Sequence, residues 1–438
     1  MSKKLYIVHA VDAEGPMYES VKETIKRFNT LLKLPKKIKT PTELKNALNG
    51  KLFSSKINKK ISKNFNSHLL NYNKNESDLN KMLSQLKSKK IRNQLLDSSG
   101  NGYKITWHCV DHINYKSNLR RKKIGYNKIF DIYSNYIKKN KLQDDVQFHF
   151  HPMTVYKESH RNSYLMMRND NLFQILCRRI IDRNWFPSSF RAGFHTERQD
   201  LHNFLEEYIP FDLSNINKSK TKHSNHKPHL KAIGYDWRRA TDKWEIYNPS
   251  RYDYQIKGKS KRYIGRVLSI MDRTVSIDKN EIDAAFKRAS KGNKTLLAVT
   301  NHDYRNIIPE INYFLNLIRD VRKKYKDVKI YYNTTTEGFK NCLNLNRRKK
   351  FKLKIKKIKD DSFKIHTLGG EVFGTQPFLA MKLKNGMYVH DNLNFDLKSK
   401  STWYYTLNND TVRPKDLSYI GVGGCDKYGN TSVNVIKV

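Results

Sequence analysis

The sequence predicts an α/β protein, a distorted (β/α) barrel with a basic insertion, followed by a small all-β domain. Over the first 345 residues, apolar strand-like segments alternate with segments of helical periodicity, which is typical of a parallel sheet or barrel. Several of these strands stay apolar until their carboxyl end, where a titratable residue appears. After about residue 345 the helical pattern stops, and apolar and polar residues alternate instead.

The barrel region begins with a buried strand, LYIVHAVD at 5–12, followed by a lysine-rich region at 30–100 that we expect to be a largely helical insertion. The later predicted strands are KITWHCVD (104–111), VQFHFHP (146–152), SSFRAGFH (188–195), KAIGYDW (231–237) and TLLAVTNH (295–302), and the run ends with KIYYNTTTEGF (329–339). Apolar spacing of three and four predicts helices over 125–140, 171–184, 200–208 and 311–325. The HTE at 195–197 is expected to cap the third of these helices.

Residues 346–438 are predicted to form a separate β domain, so that the barrel spans 1–345. Glycine-containing turns (GG, NG and GVGG) separate its alternating segments. The segment FKLKIKKIK at 351–359 indicates an amphipathic strand first, and a contact for a polyanion second. The sequence assigns no role to this domain.

The chain carries a very large positive charge, because 85 Lys and Arg stand against 41 Asp and Glu (85 − 41 = +44). Such an excess favours association with nucleic acid, acidic glycan or an anionic membrane face. The charge is spread along the chain, so a solvated basic shell is the simpler interpretation. No base-stacking or glycine-rich nucleic-acid motif is present, and no specific nucleic-acid partner is expected.

The cellular compartment is predicted from cysteines and hydropathy. The four cysteines lie far apart without a CxxC pair, which suits a reducing compartment rather than a disulfide scaffold. No apolar run approaches the ~20 residues of a membrane span. We therefore expect a cytoplasmic protein, which can rest peripherally on the inner membrane face.

Titratable or polar side chains cluster at the carboxyl ends of five predicted strands. In a (β/α) barrel these ends converge on one face, where active sites are built. A single histidine in a strand is more often an ordinary structural residue than a ligand. The recurrence of such residues at the ends of five strands is what favours a site. The residues at these ends are Asp12, Glu14, His149, His151, Arg191, Asp236, Trp237 and His302.

The spacing within two of these strands indicates a metal centre. Residues two apart on a strand face the same way, so Asp12 shares a face with Glu14, and His149 with His151. Two imidazoles and a carboxylate form a site for a divalent metal ion, most often zinc. The second carboxylate is then free to act as a general base, and a distant histidine as a general acid.

The motifs VDAEGP, FHFHP, FRAG, YDW and TNHD, in this order, resemble the five motifs of the NodB-type polysaccharide deacetylases (carbohydrate esterase family 4). The chain is most similar to the divergent cytoplasmic subgroup associated with O-antigen and surface-polysaccharide gene clusters. PFDLSN (210–215) and YNPSRYDYQIKGKSKRYIGR (247–266) also resemble that subgroup. The resemblance covers roughly residues 5–340, without much of the 30–100 insertion.

For the metal centre, the resemblance implies that Asp12 is the catalytic base and that Glu14, His149 and His151 bind the metal. The sequence departs from the family pattern here. One residue separates the two acids, which are adjacent in the family, and the ligand is Glu. The histidines are two apart rather than four.

The resemblance also assigns the remaining residues. It implies that Arg191 holds the catalytic carboxylate, that Asp236 orients the acid histidine, and that His302 is this general acid. Trp237 would form a wall of the substrate site. We expect His108, in WHCVDH, to line the site as well.

The implied activity is metal-dependent removal of an N-acetyl or similar acyl group from a sugar that is nucleotide-linked, lipid-linked or polymeric. Two alternatives stay open. Inward carboxylates about 5–9 Å apart also suit a glycoside hydrolase that needs no metal. The excess of lysine also suits a basic polyanion-binding protein built on an inactive barrel.

Overall fold

Seven parallel strands close into a barrel in the computed structural model, which describes residues 3–32, 34–113, 124–151, 171–193, 197–218, 237–271, 275–345 and 351–438. Around the barrel the order is β1-β2-β3-β4-β5-β7-β8, and β2 pairs back with β1. These strands are β1 (Lys4–Ala13), β2 (Thr106–Cys109), β3 (Asp145–Phe150), β4 (Ser189–Ala192), β5 (Phe211–Asn215), β7 (Tyr263–Ser269) and β8 (Thr295–His302). The predicted α/β barrel is confirmed.

Two further strands attach to the barrel. The short β6 (Ile246–Tyr247) pairs antiparallel with β7, and β9 (Lys329–Asn333) pairs with the first half of β1. β1 therefore contacts β9 through Lys4–Val8 and β2 through Ala10–Ala13 on its other half. The predicted strand KAIGYDW lies outside the described residues except for Trp237.

Helices surround the barrel, and each buries its apolar face against the strands or a neighbouring helix. In the helix Ile308–Arg322, for example, the buried residues Ile311, Phe314, Leu315 and Ile318 recur at the spacing of one helical face. The helices of the barrel are α6 (Lys128–Asn140), α7 (Asn171–Arg183), α8 (Arg198–Tyr208), α9 (Lys279–Ser290), α10 (Ile308–Arg322) and α11 (Thr335–Leu343). None of the described helices has the length and apolarity needed to cross a bilayer.

A helical region with its own small core separates β1 from β2. It contains α1 (Val21–Leu32), α2 (Pro41–Leu48), α3 (Ser55–Asn64), α4 (Glu76–Leu86) and α5 (Lys89–Arg92), and so begins earlier than the predicted residue 30. The region returns to the barrel at Asn73, whose side-chain amide donates to the carbonyls of Asp303 and Arg305 at 2.7 and 3.1 Å. The insertion is therefore attached beside the carboxyl end of β8.

The C-terminal residues form two four-stranded antiparallel sheets that share a core. The predicted all-β character of this region is confirmed. One sheet has the order β10-β11-β15-β14 and the other β13-β12-β16-β17. Their strands are β10 (Lys352–Lys359), β11 (Ser362–Leu368), β12 (Phe378–Leu383), β13 (Tyr388–Asp391), β14 (Asn394–Phe395), β15 (Thr402–Thr406), β16 (Leu417–Cys425) and β17 (Thr431–Lys437).

Helix α7 joins this domain to the barrel. Its buried residues pack in one cluster with Phe378 and Ala380 of β12. Strand β16 approaches the helix closely through Gly421 and Gly423, where a Cβ atom would lie within 2.9 Å of Ile180. Side chains at these two positions would push the domains apart.

Candidate metal centre and catalytic site

Four titratable side chains from β1 and β3 converge at the carboxyl end of the barrel. Asp12 lies near the end of β1 and Glu14 immediately after it, while His149 lies in β3 and His151 immediately after it. All four side chains are buried. The structure therefore brings together the residues that the two i, i+2 pairs predict.

Three of them form a set of ligands for a metal ion. The Nε2 atoms of His149 and His151 lie 2.8 Å apart, and Glu14 Oε1 lies 3.7 and 3.4 Å from them. Two ligand atoms on one tetrahedral zinc ion are separated by roughly 3.3 Å, so these separations suit a shared ion. His149 donates through Nδ1 to the carbonyl of Arg191 at 2.9 Å, which leaves its Nε2 for the metal.

Asp12 is held by Arg191 of β4 rather than by the ligand set. The guanidinium donates from Nε to Asp12 Oδ1 at 2.5 Å and from Nη2 to Oδ2 at 2.9 Å. Burial alone would raise the pKa of the Asp12 carboxyl, but Arg191, followed by His149, lowers this pKa below its ordinary value. Asp12 is therefore ionised at neutral pH and can accept a proton.

His302 ends β8 directly beside Asp12, with which it is paired in register. Its Nε2 lies 3.7 Å from Asp12 Oδ2 and 3.8 Å from Glu14 Oε1. Its side chain is 22% exposed, against 3% for both carboxylates. Of these three groups, His302 is the one best placed to meet a molecule arriving from solvent.

Asp303 is a residue of this site that the sequence reasoning missed, although it ends the TNHD motif. Its carboxylate accepts hydrogen bonds from the amides of Glu14 (2.7 Å) and Gly15, and from the Tyr133 hydroxyl (2.6 Å). Burial raises the pKa of Asp303 to about 6, although the hydrogen bonds that it accepts act to lower this pKa. The ring of His112 bonds through Nε2 to the Glu14 carbonyl at 3.1 Å. These contacts position the backbone that carries Glu14.

His108 and Trp237, which are predicted to line the substrate site, are both buried. His108 is fully buried, and its ring bonds to the Phe148 carbonyl (3.2 Å) and to Thr335 Oγ1 (3.1 Å), while burial lowers its pKa to about 3. Trp237 is 2% exposed and packs edge-on against Tyr254 at 4.9 Å. Asp236 lies outside the described residues.

A second buried ionic cluster is connected to the site through Ser214. Arg262, immediately before β7, donates to Glu197, to Asp212 at 2.9 Å and to the Nδ1 atom of His202. Ser214 donates to Asp212 at 2.5 Å and accepts from the amide next to Arg191 at 2.8 Å.

Glu197 takes part in this cluster and does not cap α8. It occupies the N-cap position, but its side chain makes no capping hydrogen bond and instead accepts from Arg262. The expectation for HTE is therefore wrong at Glu197, because the buried guanidinium of Arg262 binds this side chain instead. The other two residues of HTE lie outside the described residues.

Comparison with known proteins returned no match: no family model, no curated protein and no solved structure is detectably similar to this chain.

Proposed function

We propose that the protein is a metal-dependent hydrolase that removes an N-acetyl or similar acyl group from a sugar. The observation that carries this proposal is the position of the Glu14, His149 and His151 ligand set next to the Asp12–Arg191 pair. A metal site beside an ionised carboxylate that is not a ligand suits hydrolysis with a separate general base.

The metal would be held by Glu14 and by the Nε2 atoms of His149 and His151. When bound, a divalent ion such as zinc supplies Lewis acidity toward the acyl carbonyl and makes water more acidic. The chain itself supplies the ligand orientation, since the hydrogen bond from His149 Nδ1 to the Arg191 carbonyl fixes that ring.

Asp12 and His302 perform the proton transfers in this proposal. Asp12 accepts a proton from the attacking water at a carboxylate oxygen, while Arg191 keeps that carboxylate ionised and oriented. His302 donates a proton from Nε2 to the departing amine nitrogen, because this atom lies near Asp12 and the His302 side chain is partly exposed. The products are a carboxylic acid and a free amine.

The sugar substrate rests on the resemblance of VDAEGP, FHFHP, FRAG, YDW and TNHD to the NodB-type motifs. We propose an N-acylated sugar of surface-polysaccharide or O-antigen biosynthesis.

Elemental analysis of protein purified without a metal-binding tag tests the proposal first. We expect about one equivalent of zinc in the wild type and none in a variant with both His149→Ala and His151→Ala. His366→Ala, in the C-terminal domain, is the matched control and should keep its zinc. Added zinc should raise the melting temperature of the wild type and control, but not that of the double variant.

Activity is then measured as acid release from a panel of N-acetylated sugars, with and without a chelator. Loss of release on chelation and its return with zinc would support deacylation. Failure of the wild type to bind zinc even after reconstitution would overturn the proposal. Glycan cleavage that is insensitive to chelation would instead favour the glycoside hydrolase.

A further inference from the structure

The lysine-rich segment FKLKIKKIK has no role in the proposed reaction, but its structure indicates a binding surface. It forms β10, in which Lys352, Lys354 and Lys356 are exposed while Leu353 is buried in the core of the C-terminal domain. The lysines therefore share the outer face of the sheet β10-β11-β15-β14.

The neighbouring strand adds a further cation to this face. In the antiparallel register Lys356 lies opposite Lys364, and Lys354 opposite His366. Like charges placed directly opposite each other destabilise a sheet. Among the described residues, no acid lies within ion-pair distance of these lysines, although the charge of Lys364 helps to lower the pKa of Asp396. The nearby Asp360 pairs with Lys357 instead (2.9 Å). We call Lys352, Lys354, Lys356 and Lys364 the basic face.

Large apolar side chains are exposed to solvent at one end of the same sheet. Leu397, in the β14–β15 loop, is fully exposed, and Phe395 is 58% and Leu368 47% exposed. Leu368 lies beside this loop, because the amide of Thr367 donates to the Ser401 carbonyl at 3.0 Å. Phe395 lies opposite the buried Trp403 and so faces the other side of the sheet from the lysines. We call Leu397 and Leu368 the apolar tip.

Hydrogen bonds to Asp396 fix the conformation of the loop that carries Leu397. Asp396 accepts hydrogen bonds from the amides of Lys398 and Ser399 at 2.8 Å each, and from the Tyr404 hydroxyl at 3.1 Å. Leu397 thus protrudes from an ordered turn, with Lys398 and Lys400 exposed on the same loop.

We propose that this end of the C-terminal domain docks on an anionic lipid bilayer. The basic face would lie against the lipid phosphates, where each lysine near the surface adds to the attraction. The apolar tip would insert at the level of the acyl chains. The apolar tip favours a bilayer over a water-soluble polyanion as the partner, because a hydrophilic polymer has no apolar region in which Leu397 could be buried.

Sedimentation of the full chain with vesicles tests the docking surface. Wild type should bind vesicles of phosphatidylcholine with phosphatidylglycerol, and not vesicles of phosphatidylcholine alone. The face variant replaces the basic face by Lys352→Gln, Lys354→Gln, Lys356→Gln and Lys364→Gln. The control removes the same charge from exposed barrel helices and a helix end by Lys138→Gln, Lys139→Gln, Lys287→Gln and Lys291→Gln.

The face variant should bind anionic vesicles about 10²–10³-fold more weakly, from the attraction expected of four lysines, whereas the control should stay close to wild type. Equal losses in both variants would show that only the net charge matters, and would overturn the proposal. Wild type that ignores anionic vesicles would overturn it as well. Neither variant touches the proposed catalytic residues, so this test is independent of the hydrolase.

A second pair of variants separates a bilayer from a soluble polyanion, with heparin as the soluble probe. Leu397→Asn should weaken binding to anionic vesicles about tenfold by removing the inserted side chain, and leave heparin affinity unchanged. Met387→Asn, which changes a side chain 57% exposed on another hairpin, is the control and should change neither. Unchanged vesicle binding by Leu397→Asn would reassign the face to a polyanion partner.

Discussion

Arg191 holds Asp12 through two nearly parallel hydrogen bonds, from Nε to Oδ1 (2.5 Å) and from Nη2 to Oδ2 (2.9 Å). Its remaining nitrogen, Nη1, donates to the carbonyl of Leu213 at 2.5 Å. Both side chains are buried. The orientation of the Asp12 carboxylate is therefore determined by β4 and β5, on the far side of the barrel mouth from its own strand.

We expect Arg191→Lys to lower both stability and activity. Lysine keeps the charge but cannot make the paired hydrogen bonds, and a weakened buried ion pair should cost about 2–4 kcal/mol of unfolding free energy. Arg183→Lys is the matched control, because Arg183 forms the same paired contact with Asp131 with both side chains about a third exposed. It should cost less than about 1 kcal/mol. Urea unfolding measures both, and equal costs would contradict the structural role assigned to Arg191.

His302→Ala should lower the rate of deacylation by about 10²–10⁴-fold, because it removes the proposed general acid. Zinc content should stay that of the wild type, since His302 is not in the ligand set. Unfolding should change little because the side chain is partly exposed. Steady-state kinetics together with elemental analysis check this, and near-wild-type turnover would remove His302 from the proton transfer.

Glu197→Gln should make the pH dependence of stability less steep. Burial raises the pKa of Glu197 well above its ordinary value, although Arg262 opposes this, and Asp212 raises it further. A raised pKa means that the stability contributed by Glu197 is complete below its unfolded pKa of 4.5 and is lost as pH rises through the folded pKa. Relative to wild type, the variant should therefore gain stability as pH rises.

This pH dependence can be measured by urea unfolding at about pH 5 and about pH 8. Among the groups that face the cluster, His202 has a pKa that is lowered to about 3 by burial and then by Arg262. Its contribution is common to both proteins and cancels in the comparison. A constant difference between variant and wild type across this range would show that Glu197 is ionised at both pH values.

The candidate metal centre could be predicted because strand geometry is local. Asp12 with Glu14, and His149 with His151, are two residues apart, and this spacing alone places each pair on one face. That the two pairs meet required only that parallel strands end on one side of a barrel. The spacing therefore predicted that these four residues converge, and the choice of Glu14 rather than Asp12 as a ligand came from the family resemblance.

The supporting contacts could not be predicted, because they join residues far apart in the chain. Asp303 reaches the amides of Glu14 and Gly15 across 289 and 288 positions, and Arg262 reaches Glu197 across 65. No local pattern records which buried acid a given arginine will meet. For Glu197 the local pattern indicated a helix cap, and the tertiary contact with Arg262 prevailed.

The close contact between β16 and α7 yields a prediction about how the two domains are held together. A Cβ atom at Gly423 would lie 2.7 Å from Phe186 and 2.9 Å from Ile180, closer than packed carbon atoms approach. Gly423→Ala should therefore cost about 1–3 kcal/mol of unfolding free energy, the usual range for overpacking. Its neighbour Gly424 is the matched control.

At Gly424 a Cβ atom would make only ordinary contacts, the nearest at 3.6 Å from Leu353. Gly424→Ala should be neutral or stabilising by up to about 1 kcal/mol, because alanine restricts the unfolded chain. Since the two glycines are adjacent in one strand, strand propensity affects both variants alike, and their difference reports the distance between β16 and α7. Equal stabilities in urea unfolding would mean that the C-terminal domain shifts away from α7 at little cost, and that the interface is not tightly packed.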